Sequence, residues 1–270
     1  MKKTLIDRIP MLLPEGIGRV CEGARVYDSS SSPEAKVYFI DRDGGFYLKV
    51  AASGSLKTEA LMTEYFHKKG LGAEVISYLT GDSDMLFTRA VRGDDCTAAI
   101  YLDDPKRLCD SIAEKLRMLH EVDASDCPIK GKMGEYIAKS VENYHTDSYS
   151  KEHFPDSFGY QSGEEAYRVL CNGKGLLKDE LLIHGDYCLP NILMEDWAFS
   201  GFIDLGQAGV GDRHIDLFWG RWSMEFNLMI GGKTSEAEIK KYGLRFLDAY
   251  GRDKIDEDAL RVVAAAEVLG

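Results

Sequence analysis

The residues best suited to chemistry lie in two short segments, HGDYCLPN at positions 184–191 and GFIDLG at positions 201–206. The first segment places Asp186 on an irregular loop, with Asn191 five residues further along the chain, and the second contributes Asp204. Phosphoryl transfer needs a carboxylate to orient the attacking hydroxyl, oxygen ligands for Mg²⁺ and a cation for the phosphates. Magnesium prefers oxygen ligands, so Asn191 and Asp204 are chemically suitable. The pattern therefore predicts a phosphoryl-transfer site in which Asp186 engages the acceptor hydroxyl.

The spacing of these residues matches the protein-kinase pattern H-R-D-x-x-x-x-N followed by D-F-G. Asp186 and Asn191 have the spacing of that Asp and Asn, and Asp204 takes the position of the D-F-G aspartate. A lone H-G-D segment is weak evidence, because an Asp before a turn often caps the turn instead. The presence of Asn191 and Asp204 in register favours the catalytic interpretation over the cap.

The elements that must hold these residues change character near residue 90. In residues 1–90, KVYFID (36–41), the turn DRDGG (41–45) and FYLKV (46–50) predict a β-hairpin. A helix over 56–70 and two strands over 73–79 and 84–90 complete this segment. We predict an N-terminal nucleotide-binding lobe that consists of a small antiparallel sheet with one helix.

Residues 91–270 have a mainly helical pattern. Pro105 starts a helix over 105–120, in which Leu108, Ile112 and Leu116 recur at helical spacing. The other predicted elements are helices over 134–144, 162–171, 213–229, 235–250 and 256–269, a short buried strand over 181–186 and a hairpin over 192–195 and 199–204. The predicted fold class is α+β, with two lobes and a mostly helical C-terminal lobe that carries the catalytic loop.

Composition narrows the possible partners. The 270-residue chain has a net charge of −12, from 45 acidic and 33 basic side chains. This charge argues against nucleic acid, whose phosphates require Lys and Arg, and it fits a cationic small molecule, although acidity also serves solubility alone. The six cysteines show no C-x-x-C pair, and no apolar run approaches the ~20 residues that span a bilayer. The start of the chain has no secretory signal pattern, so we expect a cytoplasmic protein without membrane contact.

The two motifs together resemble the aminoglycoside phosphotransferase family, whose 3'-phosphotransferase branch carries H-G-D-x-x-x-x-N and then G-F-I-D-x-G. LRMLHEVDASDCPI (116–129) is similar to a helix of that branch that ends in Leu-His and precedes Asp-Cys-Pro. SPEAKVYFI (32–40) is similar to its opening strand, and the resemblance extends from about residue 15 to the end. It implies a protein-kinase-like fold that uses Mg²⁺ and ATP (or GTP) to phosphorylate an aminoglycoside hydroxyl, the 3'-hydroxyl in this branch.

The same resemblance implies the nucleotide-binding residues. Lys49 is expected on the α- and β-phosphates, with Glu59 rather than its rival Glu64 as the ion-pair partner. Tyr47 is implied to stack on adenine, although cross-strand packing is the alternative for a Tyr in a sheet. The remaining implied contacts come from a serine-containing loop and from the hinge backbone, namely Ser32, Thr88 and Ala90.

The substrate side is expected to be acidic, because aminoglycosides carry several ammonium groups that carboxylates can bind. The resemblance places acidic residues in 145–165 and near the end of the chain, and an arginine on a C-terminal helix. The implied substrate residues are Glu152, Asp156, Arg221 and Glu267. One departure concerns Gln207, which stands where family members commonly have Arg, and this puts the usual substrate range in doubt.

Two other functions remain open from the sequence. One is a kinase of a different hydroxylated metabolite, such as a sugar or an amino alcohol. The other is a non-catalytic nucleotide-binding pseudokinase, against which the complete set of Lys49, Asp186, Asn191 and Asp204 argues. A panel of acceptor substrates distinguishes the first alternative, and any measured ATP turnover excludes the second.

Overall fold

The computed structural model describes residues 3–151, 158–232 and 234–270, and the chain forms two compact units. Unit 1 comprises Met1–Cys96 and Pro190–Gln207, and unit 2 comprises Thr97–Leu189 and Ala208–Gly270. This division differs from the predicted boundary at residue 90. It differs because a hairpin from the later part of the chain pairs with residues 94–95 and so becomes part of unit 1.

Unit 1 is built on an antiparallel sheet of six strands. They are β1 (Thr4–Ile6), β2 (Arg25–Asp28), β3 (Ala35–Asp41), β4 (Phe46–Ala52), β5 (Val75–Leu79) and β6 (Ser83–Arg89), in the spatial order β1-β2-β3-β4-β6-β5. The predicted hairpin is β3 and β4, and its register pairs Val37 with Lys49 and Phe39 with Tyr47. The alternating pattern of the sequence is therefore the pattern of the strands.

The two faces of this sheet differ because side chains alternate along a strand. Phe46, Leu48 and Val50 of β4 are buried in an apolar core, whereas Tyr47 and Lys49 lie on the other face and are only partly buried. The core face also packs against Ile17 of the short helix α1 (Glu15–Cys21). The face with Lys49 is thus available for polar side chains.

The described residues of unit 1 form two α-helices where the sequence predicts one. The predicted helix over 56–70 is α2 (Lys57–Lys68), and Gly70 follows it with a φ of +73°. The unpredicted helix is α1, whose seven residues EGIGRVC include two glycines. Glycine lowers helix propensity by about 1 kcal/mol relative to alanine, so a helix this short has little local signal.

A second, three-stranded sheet completes unit 1. It consists of β7 (Asp94–Asp95), β9 (Ile192–Glu195) and β10 (Ala198–Phe202), in the order β10-β9-β7. β9 and β10 are the predicted hairpin, and β7 is too short to leave a pattern in the sequence. Asn191 precedes β9 and Asp204 follows β10, so both lie at the open end of this hairpin.

Unit 2 is mainly helical. Its helices are α3 (Ala99–Leu102), α4 (Pro105–His120), α5 (Lys132–His145), α6 (Gly163–Gly173), α7 (Arg213–Gly231), α8 (Glu236–Gly251) and α9 (Glu257–Val268). Its two strands, β8 (Leu181–Ile183) and β11 (Gly209–Gly211), pair antiparallel. α4 begins at Pro105, where the Asp104 side chain accepts the N–H of Arg107 at 3.1 Å and so caps the helix. Across the three described ranges, we find no helix long and apolar enough to span a bilayer.

Candidate active site

Lys49 is the centre of a charged cluster in unit 1. Its Nζ atom lies 2.9 and 2.8 Å from the two carboxylate oxygens of Glu59, and 2.9 Å from Oδ1 of Asp204. Lys49 is on the polar face of β4, Glu59 is in the first turn of α2, and Asp204 follows β10. Three separate elements thus bring one ammonium group between two carboxylates.

Burial and charge act in opposite directions on this cluster. Burial lowers the pKa of the Lys49 ammonium, but the negative charges of Asp204 and Glu59 outweigh it and raise the pKa above its ordinary value. Burial raises the pKa of Glu59 more than the charge of Lys49 lowers it. Lys49 therefore remains a cation, which is the property that phosphate oxygens require.

Glu64, the rival partner for Lys49, lies elsewhere on α2. It pairs with Lys68 one turn along the helix, at 2.7 Å, and both side chains are exposed. Glu59 is 8% exposed and faces the sheet. The geometry therefore agrees with the pair that the sequence favours, Lys49 with Glu59.

The β9–β10 hairpin explains how Asn191 and Asp204 come to the same end of one element. Ile203 donates its N–H to the carbonyl of Asn191 at 3.1 Å, so the two chain segments are still paired at this point. Asp204 is the next residue and has a φ of +57°, a conformation that few non-glycine residues adopt. Such a backbone is costly and is found mainly where the side chain must take a special direction. Here it accompanies the contact of Asp204 with Lys49.

The donors at the base of this hairpin fit Mg²⁺. Asn191 offers an amide oxygen and Asp204 a carboxylate, both of which are hard oxygen ligands. In the part of the chain that the structure describes, no group of three or more His, Cys, Asp or Glu side chains is placed to hold a metal ion. Magnesium in phosphoryl-transfer sites is commonly held by one or two protein ligands together with phosphate oxygens and water. The residues present fit that mode of binding.

The aromatic side chain predicted to contact adenine packs within the sheet. The ring of Tyr47 lies 5.1 Å from that of Phe39, its cross-strand partner. Burial, with the charge of Asp95, raises the pKa of Tyr47 to about 12. Cross-strand packing, the alternative that the sequence left open, is thus present, on the same face of β4 as Lys49.

The other predicted nucleotide contacts are placed less favourably. The Ser32 hydroxyl hydrogen-bonds to the carboxylate of Glu34, an acidic neighbour for any phosphate. Ala90 donates its N–H to the carbonyl of Gly45 at 3.0 Å, so that N–H already has a partner. Thr88, within β6, pairs with Tyr47 of β4 and Val75 of β5. No local pattern predicts the bond between Ala90 and Gly45, because these residues are distant in the chain.

The loop that carries Asp186 belongs to unit 2 and is fixed from both sides. Asp216, a fully buried residue of α7, accepts the backbone N–H groups of His184 and Gly185, each at 2.8 Å. His184 in turn accepts the N–H of Asp186 on Nδ1 at 3.3 Å. Beyond Asp186, the Tyr187 hydroxyl donates to the carbonyl of Ile112 at 2.7 Å. These hydrogen bonds hold the loop in place, and Asp186 itself is half-buried.

Asp216 and its neighbours are functional candidates that the sequence did not reveal. The second carboxylate contact of Asp216 is His120 Nε2 at 3.1 Å, and Nδ1 of His120 lies 2.8 Å from the Tyr250 hydroxyl. Burial lowers the pKa of His120 in spite of the Asp216 charge, so the ring is a neutral donor to Asp216. The only local signal is an Asp within the apolar run of α7, since aspartate is rarely buried without partners.

Glu267, one of the predicted substrate residues, joins three helices of unit 2. Its Oε1 atom accepts the hydroxyl of Tyr136 at 2.6 Å and the indole N–H of Trp219 at 3.1 Å. Burial raises its pKa to about 7; the two hydrogen bonds oppose this rise and the charge of Asp186 adds to it. Glu267 is therefore a carboxyl group that titrates near neutral pH.

Arg221, another predicted substrate residue, does not join Glu267. Arg221 donates to Glu225, one turn along α7, at 2.8 Å. It lies two residues after Trp219, which is ~200° around the helix, and so faces away from the Trp219 side. Glu152 and Asp156 lie outside the described residues.

Comparison with known proteins identifies relatives along nearly the whole chain. Residues 25–261 match the model of the phosphotransferase enzyme family. A protein of Lactococcus lactis subsp. lactis (strain IL1403), named as a probable aminoglycoside 3'-phosphotransferase, is 48% identical over 95% of each chain. These matches agree with the resemblance noted in the two motifs.

Solved structures confirm the predicted α+β, protein-kinase-like fold. An aminoglycoside 3'-phosphotransferase of type VIII superposes with a TM-score of 0.73 at 22% identity, over 92% of this chain and 94% of that one. An aminoglycoside phosphotransferase of Streptomyces rimosus ATCC10970, in complex with ADP and streptomycin, has a TM-score of 0.70 at 22% identity, over 87% and 90% of the two chains.

Proposed function

We propose a function that starts from family membership: this chain belongs to the aminoglycoside phosphotransferase family. It transfers the γ-phosphoryl group of ATP or GTP to a hydroxyl of an aminoglycoside. The 48%-identical relative is named for the 3'-position, so the 3'-hydroxyl is the acceptor that we propose. The reaction takes place in the cytoplasm, where nucleoside triphosphates are supplied, and it confers resistance to the antibiotic.

The observation that carries this proposal is the contact of Lys49 with Glu59 and Asp204. One carboxylate on each side of the lysine orders its ammonium group. The phosphate oxygens of the nucleotide then compete with these carboxylates for the ammonium group. A neighbouring Asn–Asp hairpin offers oxygen ligands to a metal. The Streptomyces rimosus relative, solved with ADP and streptomycin, is consistent with a nucleotide and an aminoglycoside as the two substrates.

Each residue has a separate role in the transfer. Asp186 accepts the proton of the acceptor hydroxyl as the new O–P bond forms and the bond from the γ-phosphorus to the β-phosphate oxygen breaks. Lys49, ordered by Glu59, contacts the α- and β-phosphates, and Asn191 and Asp204 hold Mg²⁺. When bound, Mg²⁺ neutralises charge that develops on the phosphate oxygens. Tyr47 contributes its half-buried ring to the adenine side, with Ser32, Thr88 and Ala90 as secondary contacts.

The substrate contacts are proposed from charge. The net charge of −12 attracts a polycation over a distance of about 10 Å at 0.1 M salt. Glu267 supplies a carboxylate, and the negative charge of Asp186 acts on it. Glu152, Asp156 and Arg221 stay predictions from the sequence, and Gln207 in place of Arg makes a narrower substrate range part of the proposal.

The test is a coupled assay with purified protein, Mg²⁺ and either ATP or GTP. The acceptors are kanamycin-like, neomycin-like and gentamicin-like compounds, the last of which lack a 3'-hydroxyl. We expect turnover of the first two groups and none of the third. A matched Asp204→Ala variant should be folded and inactive, because it lacks a metal ligand and a Lys49 partner.

Other outcomes identify the alternatives. Turnover of an uncharged sugar or of an amino alcohol, without turnover of any aminoglycoside, would show a kinase of another metabolite. Nucleotide binding without turnover of any acceptor would show a pseudokinase. Equal turnover of compounds with and without the 3'-hydroxyl would move the acceptor to another position.

A further inference from the structure

A row of aromatic side chains lies along one face of α7 in unit 2. Trp219, Trp222 and Phe226 form this aromatic row, at positions i, i+3 and i+7, which share one side of a helix. The Trp219 and Trp222 rings meet edge to face at 5.4 Å, and Trp222 stacks on Phe226 at 4.9 Å with an angle of 10° between the planes. The rings thus form a continuous aromatic surface.

The outer end of the aromatic row is open to solvent. Phe226 is 39% exposed, and the same face continues through Met229 and Ile230, which are 59% and 65% exposed. Single exposed apolar residues are common, but several in a row on one helical face mark a binding surface. Exposed aromatic rings leave apolar surface in water, so a ligand that covers them gains the free energy of burying that surface.

The inner end of the aromatic row meets the substrate side of the proposed active site. Trp219 donates its indole N–H to Glu267 at 3.1 Å, and Glu267 also accepts the hydroxyl of Tyr136 at 2.6 Å. The same helix holds the loop of the proposed catalytic residue: Asp216, three residues before Trp219, accepts the N–H groups of His184 and Gly185, and Ser223, next to Trp222, accepts the N–H of Leu189 at 3.0 Å. The row therefore leads from the neighbourhood of Asp186 toward the exposed end of α7.

We propose that the aromatic row binds an outer aminosugar ring of the aminoglycoside, and this inference rests on the function proposed above. The C–H face of a sugar ring packs against an aromatic face, and an ammonium group on that ring is attracted to the π-system, most strongly by Trp. Glu267 at the inner end adds a carboxylate for a further ammonium group. The row would then distinguish aminoglycosides by the number of rings they carry.

Arg221, which is next to Trp222 in the sequence, is directed away from the row. Arg221 is drawn to Glu225 at 2.8 Å on another face of α7. That pair lies against Gly243 of α8, where a Cβ atom would come within 3.1 Å of the Arg221 Nε atom. The ligand's own ammonium group can therefore occupy the rings without displacing a protein side chain.

The test compares kanamycin B with neamine, which contains the same two inner rings but lacks the third, amino-bearing sugar. Trp222→Ala and Phe226→Ala should raise KM for kanamycin B by about three- to ten-fold, the size expected for one aromatic or cation–π contact. KM for neamine, KM for the nucleotide and kcat should change less than two-fold. Phe226→Tyr keeps a ring and should retain the kanamycin B KM, whereas Phe226→Leu keeps apolar bulk only and should not.

The matched control is Leu79→Ala on β5, an apolar residue with 40% exposure far from α7 in the sequence. It should leave both acceptor KM values unchanged. Equal increases in KM for kanamycin B and neamine, or no increase for either, would overturn the inference while the proposed function stands. A dimer that dissociates in Phe226→Ala on gel filtration would assign the row to a second copy of the chain instead. If the wild-type protein phosphorylates neither compound, the proposed function fails and this inference fails with it.

Discussion

Glu59 in unit 1 and Glu267 in unit 2 are two buried carboxyl groups with opposite kinds of partner. Glu59 receives a lysine ammonium at 2.8 Å, and the same ammonium contacts Asp204. The two hydrogen bonds to Glu267 among the described residues come from neutral donors, a tyrosine hydroxyl and an indole N–H, and Lys139 acts on it only as a more distant charge. Burial raises the pKa of both groups, and that of Glu267 reaches about 7.

The difference shows how each unit sets the charge of its carboxylates. A cation in direct contact lowers the pKa of a buried carboxyl group, so Lys49 opposes the effect of burial on Glu59. Neutral donors offset only part of the desolvation, so Glu267 changes its charge near neutral pH. In the proposed function, Lys49 gives the nucleotide a constant cation, whereas Glu267 makes the affinity for a polycationic aminoglycoside depend on pH.

The largest expected effect concerns Asp186, whose charge adds to the rise in the Glu267 pKa. Asp186→Asn should lower kcat by about 10³- to 10⁴-fold, the upper part of the range for general-base catalysis, while nucleotide and aminoglycoside still bind. The same variant should lower the pKa of Glu267, because one negative charge is removed. Steady-state kinetics and calorimetric binding measure the first effect, and NMR titration of the carboxyl groups measures the second.

A structural role for Asp186 makes a different prediction. If Asp186 only capped the turn, Asp186→Asn would lower Tm and leave kcat near the wild-type value in the protein that remains folded. The exposed Asp103 at the end of α3 offers a control, since Asp103→Asn should change neither quantity. A near-normal kcat in Asp186→Asn would disprove the catalytic role.

The next effect in size concerns Lys49. Lys49→Met removes charge-assisted contacts worth about 1.5–3 kcal/mol, so kcat/KM for the nucleotide should fall roughly ten- to hundred-fold. Tm should also fall, because Glu59 loses its counter-charge, and the double variant Lys49→Met/Glu59→Gln should regain part of that loss. Steady-state kinetics and thermal melts of the three proteins measure both effects.

Lys36→Met on the neighbouring strand β3 is the matched control, since Lys36 is exposed. It should leave nucleotide kinetics unchanged. If Lys49→Met raised KM for the aminoglycoside while KM for the nucleotide stayed the same, Lys49 would belong to the acceptor side. A double variant no more stable than Lys49→Met would show that Glu59 does not depend on Lys49 for its charge.

The two carboxylates also differ in how well the sequence predicts them. The family resemblance implies Lys49 and Glu59, and the local periods of the sequence show only that the first lies on a strand and the second on a helix. The start of α4 at Pro105 is likewise a local signal. The partners of Glu267 come from α5 and α7, and nothing in a local pattern shows that these helices meet at one atom.

The same limit applies to the loop of Asp186 and to the nucleotide side. The spacing to Asn191 predicts the chemistry, but the bonds from Asp216 that fix the loop join positions more than 30 apart. The contact of Ala90 with Gly45 depends on how two hairpins pack. Motif spacing therefore predicts the reacting groups. Tertiary packing decides which side chains hold those groups in place and which backbone N–H groups already have a hydrogen-bond partner.

The smallest expected effect concerns Glu267 and separates the two carboxylates directly. A carboxyl group whose pKa rises on folding binds its proton more tightly in the folded state. Its contribution to stability is therefore full below the unfolded pKa of about 4.5 and is lost as pH rises through about 7. Relative to Glu267→Gln, the free energy of unfolding of the wild-type protein should fall as pH rises from 5 to 8, and urea melts at each pH measure it.

Over the same range KM for kanamycin B should fall more steeply in the wild type, because Glu267 gains its charge, while KM for the nucleotide stays level in both proteins. Glu142→Gln, an exposed position on α5, should run parallel to the wild type at every pH. Stability and KM curves of Glu267→Gln that also ran parallel to the wild type would show that the charge of Glu267 does not change over this range.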